Sequence, residues 1–216
     1  MNVCAIDLSK AFDKVNHHDH IKLMKRHLPV KVLNLIENMC SSCYLCVKWD
    51  NVWSDIFRVD FCVRQGTVLS PHLFALYLDD LSDLHLSGCA IILHADDILQ
   101  ISTSVCQLQK LLHICEKELS WLDMAINFKK SCCLRVGPHC DVHCVSLQSI
   151  TGSMLQWVDT VRYLCMYLVR AKYFKCSLDY AKRSFHRAAN SVFGKIGRIA
   201  SEESVIQLIK GKCLPI

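Results

Sequence analysis

Long apolar runs are missing from this sequence. The longest uninterrupted stretches, such as Leu73 to Leu78, fall far short of the roughly 20 residues that a membrane-crossing helix needs, so no membrane span is expected. The opening MNVCAIDLSKAFDK lacks a basic segment followed by an apolar one and a small-residue cleavage site, which excludes a secretory signal there. A cytoplasmic and/or nuclear location is the expectation. Glycine and proline are scarce, at 7 and 4 of 216 residues, and no Gly/Ser linker, internal repeat or low-complexity tract appears. One continuous domain is therefore expected, with a change of character near residue 170.

Arginine is scarce too, with 9 residues beside 15 cysteines and 11 histidines. Without a secretory route the thiols are read as reduced rather than as a disulfide framework. Zinc is the alternative to weigh. Cys40, Cys43 and Cys46 in CSSCYLC have metal-like spacing, HCDVHC offers His139, Cys140, His143 and Cys144, and HHDH offers His17, His18 and His20. Against the first set, CYLCVKW alternates like a strand and sends Cys43 and Cys46 to opposite faces. A different source for the imbalance is decay of methylated, CpG-bearing arginine codons into cysteine, histidine and tryptophan codons, as in an ageing genomic copy.

What is present begins with 52% hydrophobic residues, enough for a substantial core. Charge is uneven. Residues 162–216 hold eleven Lys or Arg against three acidic residues, a net +8, which leaves −3 for the first 161. A basic block beside an acidic body suits a polyanion at one end and cations at the other; a solvated helix face would read the same way.

Apolar periodicity gives the elements. VCAIDL reads as a buried strand. HDHIKLMKRHL and VKVLNLIENM read as helical pieces separated by Pro29. CYLCVKW and SDIFRVDFCV are strand-like around an Asp50-Asn51 turn. In RQGTVLSPHLFALYLDDL, Ser70 is a candidate cap with Pro71 at the first helical position, and Leu73, Phe74, Tyr77, Leu78 and Leu81 recur at helical spacing. An amphipathic helix is predicted from about Gln107 to about Leu122, with Leu108, Leu111, Leu112, Cys115, Leu119 and Leu122 as its buried stripe. CCLRVG and VRYLCMYLV read as strands, and Asp179 to Ile196 and Ser201 to Ile209 as helices. This order lacks a strict βαβ rhythm and predicts an α+β fold, an antiparallel sheet backed by helices.

LHADDILQ, residues 93–100, places Asp96 and Asp97 between two apolar strand-like runs. Alone, it reads as a hairpin turn with its carboxylates in water. A second acid, Asp7 in AIDLSKAFDK, also ends an apolar strand. If the two strands are neighbours, three carboxylates converge, and their repulsion either raises a pKa or recruits a divalent cation such as Mg²⁺.

IDLSKAFDK, RQGTVLSPHLF, HADD, INFKKS and YLCMYL, in that order and at those intervals, resemble the palm motifs of a reverse transcriptase of the LINE type, from retrotransposons lacking long terminal repeats. FHRAANSVFGKIGRIASEESVIQLIKGKCLPI resembles the segment that follows the palm in animal elements of this kind. The resemblance implies an antiparallel-sheet polymerase palm over residues 1–170, then a basic helical segment, 171–216, leading toward a thumb. It implies an RNA-directed DNA polymerase using RNA template, DNA primer and dNTP. It gives no signal for a protein partner.

It also assigns roles. Asp7 and Asp96, with the Leu8 carbonyl, would hold two Mg²⁺ ions, and Asp97 would support them. Phe12 would be the steric gate against a ribose 2′-hydroxyl. Arg64, Gln65 and Gly66 would approach the incoming nucleotide. Lys130 would be the acid toward pyrophosphate, and Tyr163, with Leu164, would lie in the primer-gripping hairpin. Two departures stand out: His94 replaces an aromatic residue, and Cys165 replaces glycine. The resemblance further leads to the expectation of a fragment without fingers, complete thumb or endonuclease region, either completed elsewhere or a catalytically inactive remnant.

Overall fold

The computed structural model describes residues 1–16, 28–59, 66–84, 86–197 and 199–213. VCAIDL forms the middle of a six-stranded sheet. Its strand, β1 (Asn2–Asp7), is flanked by β7 (Asp97–Ser102) and β8 (Cys132–Arg135), both antiparallel to it. With β6 (Cys89–His94), β9 (Leu147–Gln148) and β10 (Met154–Trp157) the order becomes β6-β7-β1-β8-β10-β9. Among the strand pairs of this sheet in the described residues, β8–β10 alone is parallel. The sheet is thus dominated by antiparallel pairs, as the predicted α+β fold requires.

Alternation along the strands divides the core in two. Cys4, Ile6, Leu8, Ile98 and Cys133 face the helices, meeting Leu108, Leu112, Cys115 and Leu119 of α4 (Val105–Trp121) and Phe74 and Tyr77 of α2 (Ser70–Tyr77). Val3, Leu99 and Leu134 point the other way, against Val161, Tyr163 and Leu168. These last belong to a three-stranded sheet of β11 (Thr160–Tyr163), β12 (Met166–Val169) and β13 (Lys175–Ser177). The layers are therefore helices, large sheet and small sheet.

Most elements match their sequence signals. The α4 stripe is buried as expected, including Leu122 just beyond the helix. Helix α1 (Val30–Ser41) starts after Pro29; the preceding HDHIKLMKRHL prediction, with His17, His18 and His20, lies almost wholly outside the described residues. Helices α5 (Asp179–Ile196) and α6 (Glu202–Lys212) follow, the second capped by the Ser201 hydroxyl, which accepts from Ser204 N. No helix among the described residues is long and apolar enough to cross a membrane.

Three readings change. Ser70 is the first residue of α2 rather than its cap: Leu69 holds the cap position, and the Ser70 hydroxyl meets that of Thr67. The helix also breaks at Leu78 before the short α3 (Asp79–Ser82). VRYLCMYLV is a hairpin rather than one strand, because Leu164 and Cys165 take φ of 45° and 63°. Within its described residues, 54–59, SDIFRVDFCV forms β5 (Phe57–Arg58), which pairs with β2 (Tyr44–Leu45); β3 (Lys48–Trp49) and β4 (Val52–Trp53) close around the Asp50-Asn51 turn.

Candidate active site

The β6–β7 hairpin turns on Ala95 and Asp96, with His94 paired to Asp97 and a left-handed Ala95 at φ 51°. On its other edge β7 runs antiparallel to β1 in a register that sets Asp97 directly opposite Asp7. Directly opposed residues share a sheet face, so the two carboxylates leave the sheet together, on the side of the small sheet. Asp96, in the adjoining turn, completes the acidic group. Asp7 and Asp97 meet as the sequence predicts and Asp96 is near enough to act on Asp97, but the three side chains do not gather into one metal-holding group.

Electrostatics bear the mark of this crowding. Partial burial first, then the neighbouring charges of Asp96 and Asp7, push the Asp97 carboxyl above its ordinary range, while His94 pulls the other way. Lys130 supplies the opposing cation, its Nζ 3.7 Å from Asp7 Oδ2. The lysine side chain is 70% exposed and the aspartate side chain 27%, so this is a screened, surface-type pair.

The chain around Asp7 is held by INFKKS. Asn127 N donates to Asp7 O at 2.8 Å, and Ser9 N donates to Ala125 O at 2.8 Å. These bonds flank the Leu8–Ile126 bridge, a non-hydrogen-bonded pair that turns the Leu8 carbonyl toward the β7 side. Asp7 N donates to Ser131 Oγ at 3.0 Å, and that hydroxyl donates to Asn127 O at 2.8 Å. Ser131 is buried, and sequence reasoning passed over it. It lies in INFKKS, one residue past Lys130.

The remaining candidates fall into place unequally. Phe12 sits on a short 3-10 turn (Ala11–Lys14) after a left-handed Lys10 and stacks on Phe74, ring centroids 4.5 Å apart. It is a half-buried ring packed on the core. Tyr163 is buried between the sheets, and its hydroxyl has no hydrogen-bond partner among the described residues. Burial, then the charge of Asp97, raises its phenol. Gly66 is exposed at φ 84°, a backbone that favours glycine. Arg64 and Gln65 lie outside the described residues. His94 is exposed, whereas Cys165 occupies a left-handed turn position for which glycine is the natural residue.

Among the described residues no three or more His, Cys, Asp or Glu side chains gather as a metal-holding group. Neither CSSCYLC nor HCDVHC forms such a cluster. The acidic group instead pairs two opposed aspartates with a third in the adjoining turn. That donor set suits Mg²⁺, which takes one or two carboxylates and fills its other positions with water and phosphate oxygens.

A sequence profile described as reverse transcriptase (RNA-dependent DNA polymerase) matches residues 2–168. The chain belongs to the reverse transcriptase family. A curated relative, the RNA-directed DNA polymerase from mobile element jockey of Drosophila funebris, is 26% identical over 194 residues. The match takes in 84% of this chain and 21% of that protein, so the chain spans about one fifth of the relative's length. These matches agree with the LINE-type resemblance. Among solved structures, apo telomerase from Candida tropicalis superposes with a TM-score of 0.65 at 10% identity, covering 95% of this chain and 35% of that one. The telomerase of the same organism in complex with a fragment of telomeric RNA gives 0.60 at 11% identity, covering 97% and 37%. At such identities the likeness concerns the fold alone.

Proposed function

We propose that residues 1–170 are the palm of an RNA-directed DNA polymerase and 171–216 the start of its thumb, within a longer protein of cytoplasmic and/or nuclear location. Transfer would run from dNTP to a primer 3′-hydroxyl on an RNA template. The observation that carries this is the Asp7–Asp97 register, with Asp96 in the adjoining turn and Lys130 at 3.7 Å from Asp7.

Asp7, Asp96 and the Leu8 carbonyl would hold two Mg²⁺ ions, with Asp97 supporting them. When bound, magnesium supplies activation of the primer hydroxyl and neutralisation of triphosphate charge. Lys130 would give a proton to departing pyrophosphate, a role that its ion pair with Asp7 supports. Phe12, fixed by Phe74, would exclude a 2′-hydroxyl. The left-handed Gly66 would let backbone approach the incoming nucleotide beside Arg64 and Gln65. Tyr163 would set the primer-facing hairpin beside Asp97. The basic residues after 170 would meet nucleic-acid phosphates through salt-sensitive contacts.

The test is Mg²⁺-dependent primer extension on an RNA template, with this chain carried in a protein of the relative's full length. Extension abolished by Asp96→Asn is expected. No extension, or extension that survives the substitution, overturns the reading. A second reading, a catalytically inactive remnant that retains a nucleic-acid-binding fold, is favoured by one observation, the left-handed Cys165 at φ 63°. Loss of extension that Cys165→Gly restores would assign that remnant's defect to the hairpin.

A further inference from the structure

Away from the acidic site, residues 43–59 form a β-ribbon. Val59 N donates to Cys43 O at 3.0 Å, and Ser54 N to Val47 O at 2.9 Å, joining the β2–β5 pair to the β3–β4 pair. Tyr44 pairs with Arg58 and Lys48 with Trp53, so the returning strand holds one residue more than the outgoing one, a bulge. Every residue of these four strands is exposed.

Tyr44 and Lys48, four apart on one extended strand, share a face, and each brings its opposite partner with it. That face therefore carries two exposed rings in a row, in the strand pairs Tyr44–Arg58 and Trp53–Lys48. In the second, the ammonium lies 5.2 Å from the ring centroid. Tyr44 is 56% exposed and Trp53 61%. The opposite face holds only apolar partners, Leu45 with Phe57 and Trp49 with Val52.

We infer that the Tyr44–Trp53 face is a stacking platform for single-stranded RNA. An aromatic ring accepts any base on its π-face, and a cation beside it meets the adjoining phosphate, the arrangement that sequence-tolerant single-strand binders use. Asp50 and Asp55 offset the two cations in the ribbon's formal charge, so stacking carries the contact and its salt dependence is shallow. With Lys48 on one phosphate, the log–log slope is about −0.7. The choice of RNA rests on the proposed template; the platform itself does not.

The test is anisotropy of labelled twelve-nucleotide oligouridine with the full chain in EDTA, so that a failure of primer extension leaves the result untouched. Trp53→Ala and Tyr44→Ala are expected to weaken binding about tenfold each, the effect of losing one stacked base. Trp49→Ala, on the other face, should stay within about twofold of the parent, and Lys48→Ala should flatten the slope by ~0.7. Circular dichroism of each variant serves as the check that the fold is intact. Absence of binding by the parent chain overturns the inference, as does parental affinity in Trp53→Ala. Equal damage from Trp49→Ala, tighter binding of oligothymidine, or a self-associated state that Trp53→Ala dissolves would overturn it as well.

Discussion

The ammonium of Lys130 reaches to 3.7 Å of an Asp7 carboxylate oxygen, although the two residues belong to widely separated motifs. Because the lysine is mostly exposed, Lys130→Ala should shift stability by no more than about 0.5 kcal/mol in urea unfolding. In the full-length polymerase assay the same change should slow extension about 100-fold, the scale of one general acid. A large stability loss with an unchanged rate would make the pair structural instead.

Asp97 carries a pH signature. Its carboxyl holds a proton more tightly in the folded chain than in the unfolded one, so it favours the fold when protonated and opposes it when ionised. Its contribution to stability therefore falls as pH rises from the ordinary carboxylate range through the raised folded value. Asp97→Asn is expected to raise the urea midpoint at neutral pH, and the gain should vanish near about pH 3, where both forms are neutral. A gain that is the same at both pH values would show that charge crowding is not its cause.

The β11–β12 turn places Leu164 and Cys165 at φ of 45° and 63°. A side chain in that region costs about 1–2 kcal/mol, so Cys165→Gly should stabilise the chain by about 1 kcal/mol. Unchanged or reduced thermal stability in this variant would contradict the turn geometry.

Thiol reactivity should follow burial. Cys46, Cys106 and Cys165 are exposed, while Cys4, Cys115 and Cys133 are fully buried. Burial pushes the Cys115 thiol up to about 12, against a smaller opposing effect of Gln100. A thiol-specific chromogenic reagent should label the exposed three in the native chain and the buried three only at the rate of unfolding. The same division limits codon decay as the source of the cysteines: an unpaired arginine does not occupy a fully buried site, so Cys4, Cys115 and Cys133 do not fit that origin.

The sequence by itself determined the local units and the identity of the acids. A helix buries one stripe, so Leu108, Leu111, Leu112, Cys115 and Leu119 announce α4 wherever it packs, and the HADD turn is written into eight consecutive residues. Both are properties of neighbours along the chain, which the sequence displays directly. The tertiary structure alone decided what lies opposite what. Strand partners are chosen by which faces cover each other, and a one-residue slip of β1 against β7 would have sent Asp7 to the helical side and away from Asp97. The Ser131 hydroxyl beneath Asp7, Lys130 beside it, the parallel β8–β10 pair and the small sheet over the acidic face come from that long-range packing. No periodicity within the chain encodes those contacts, because the groups that make them are joined only through space.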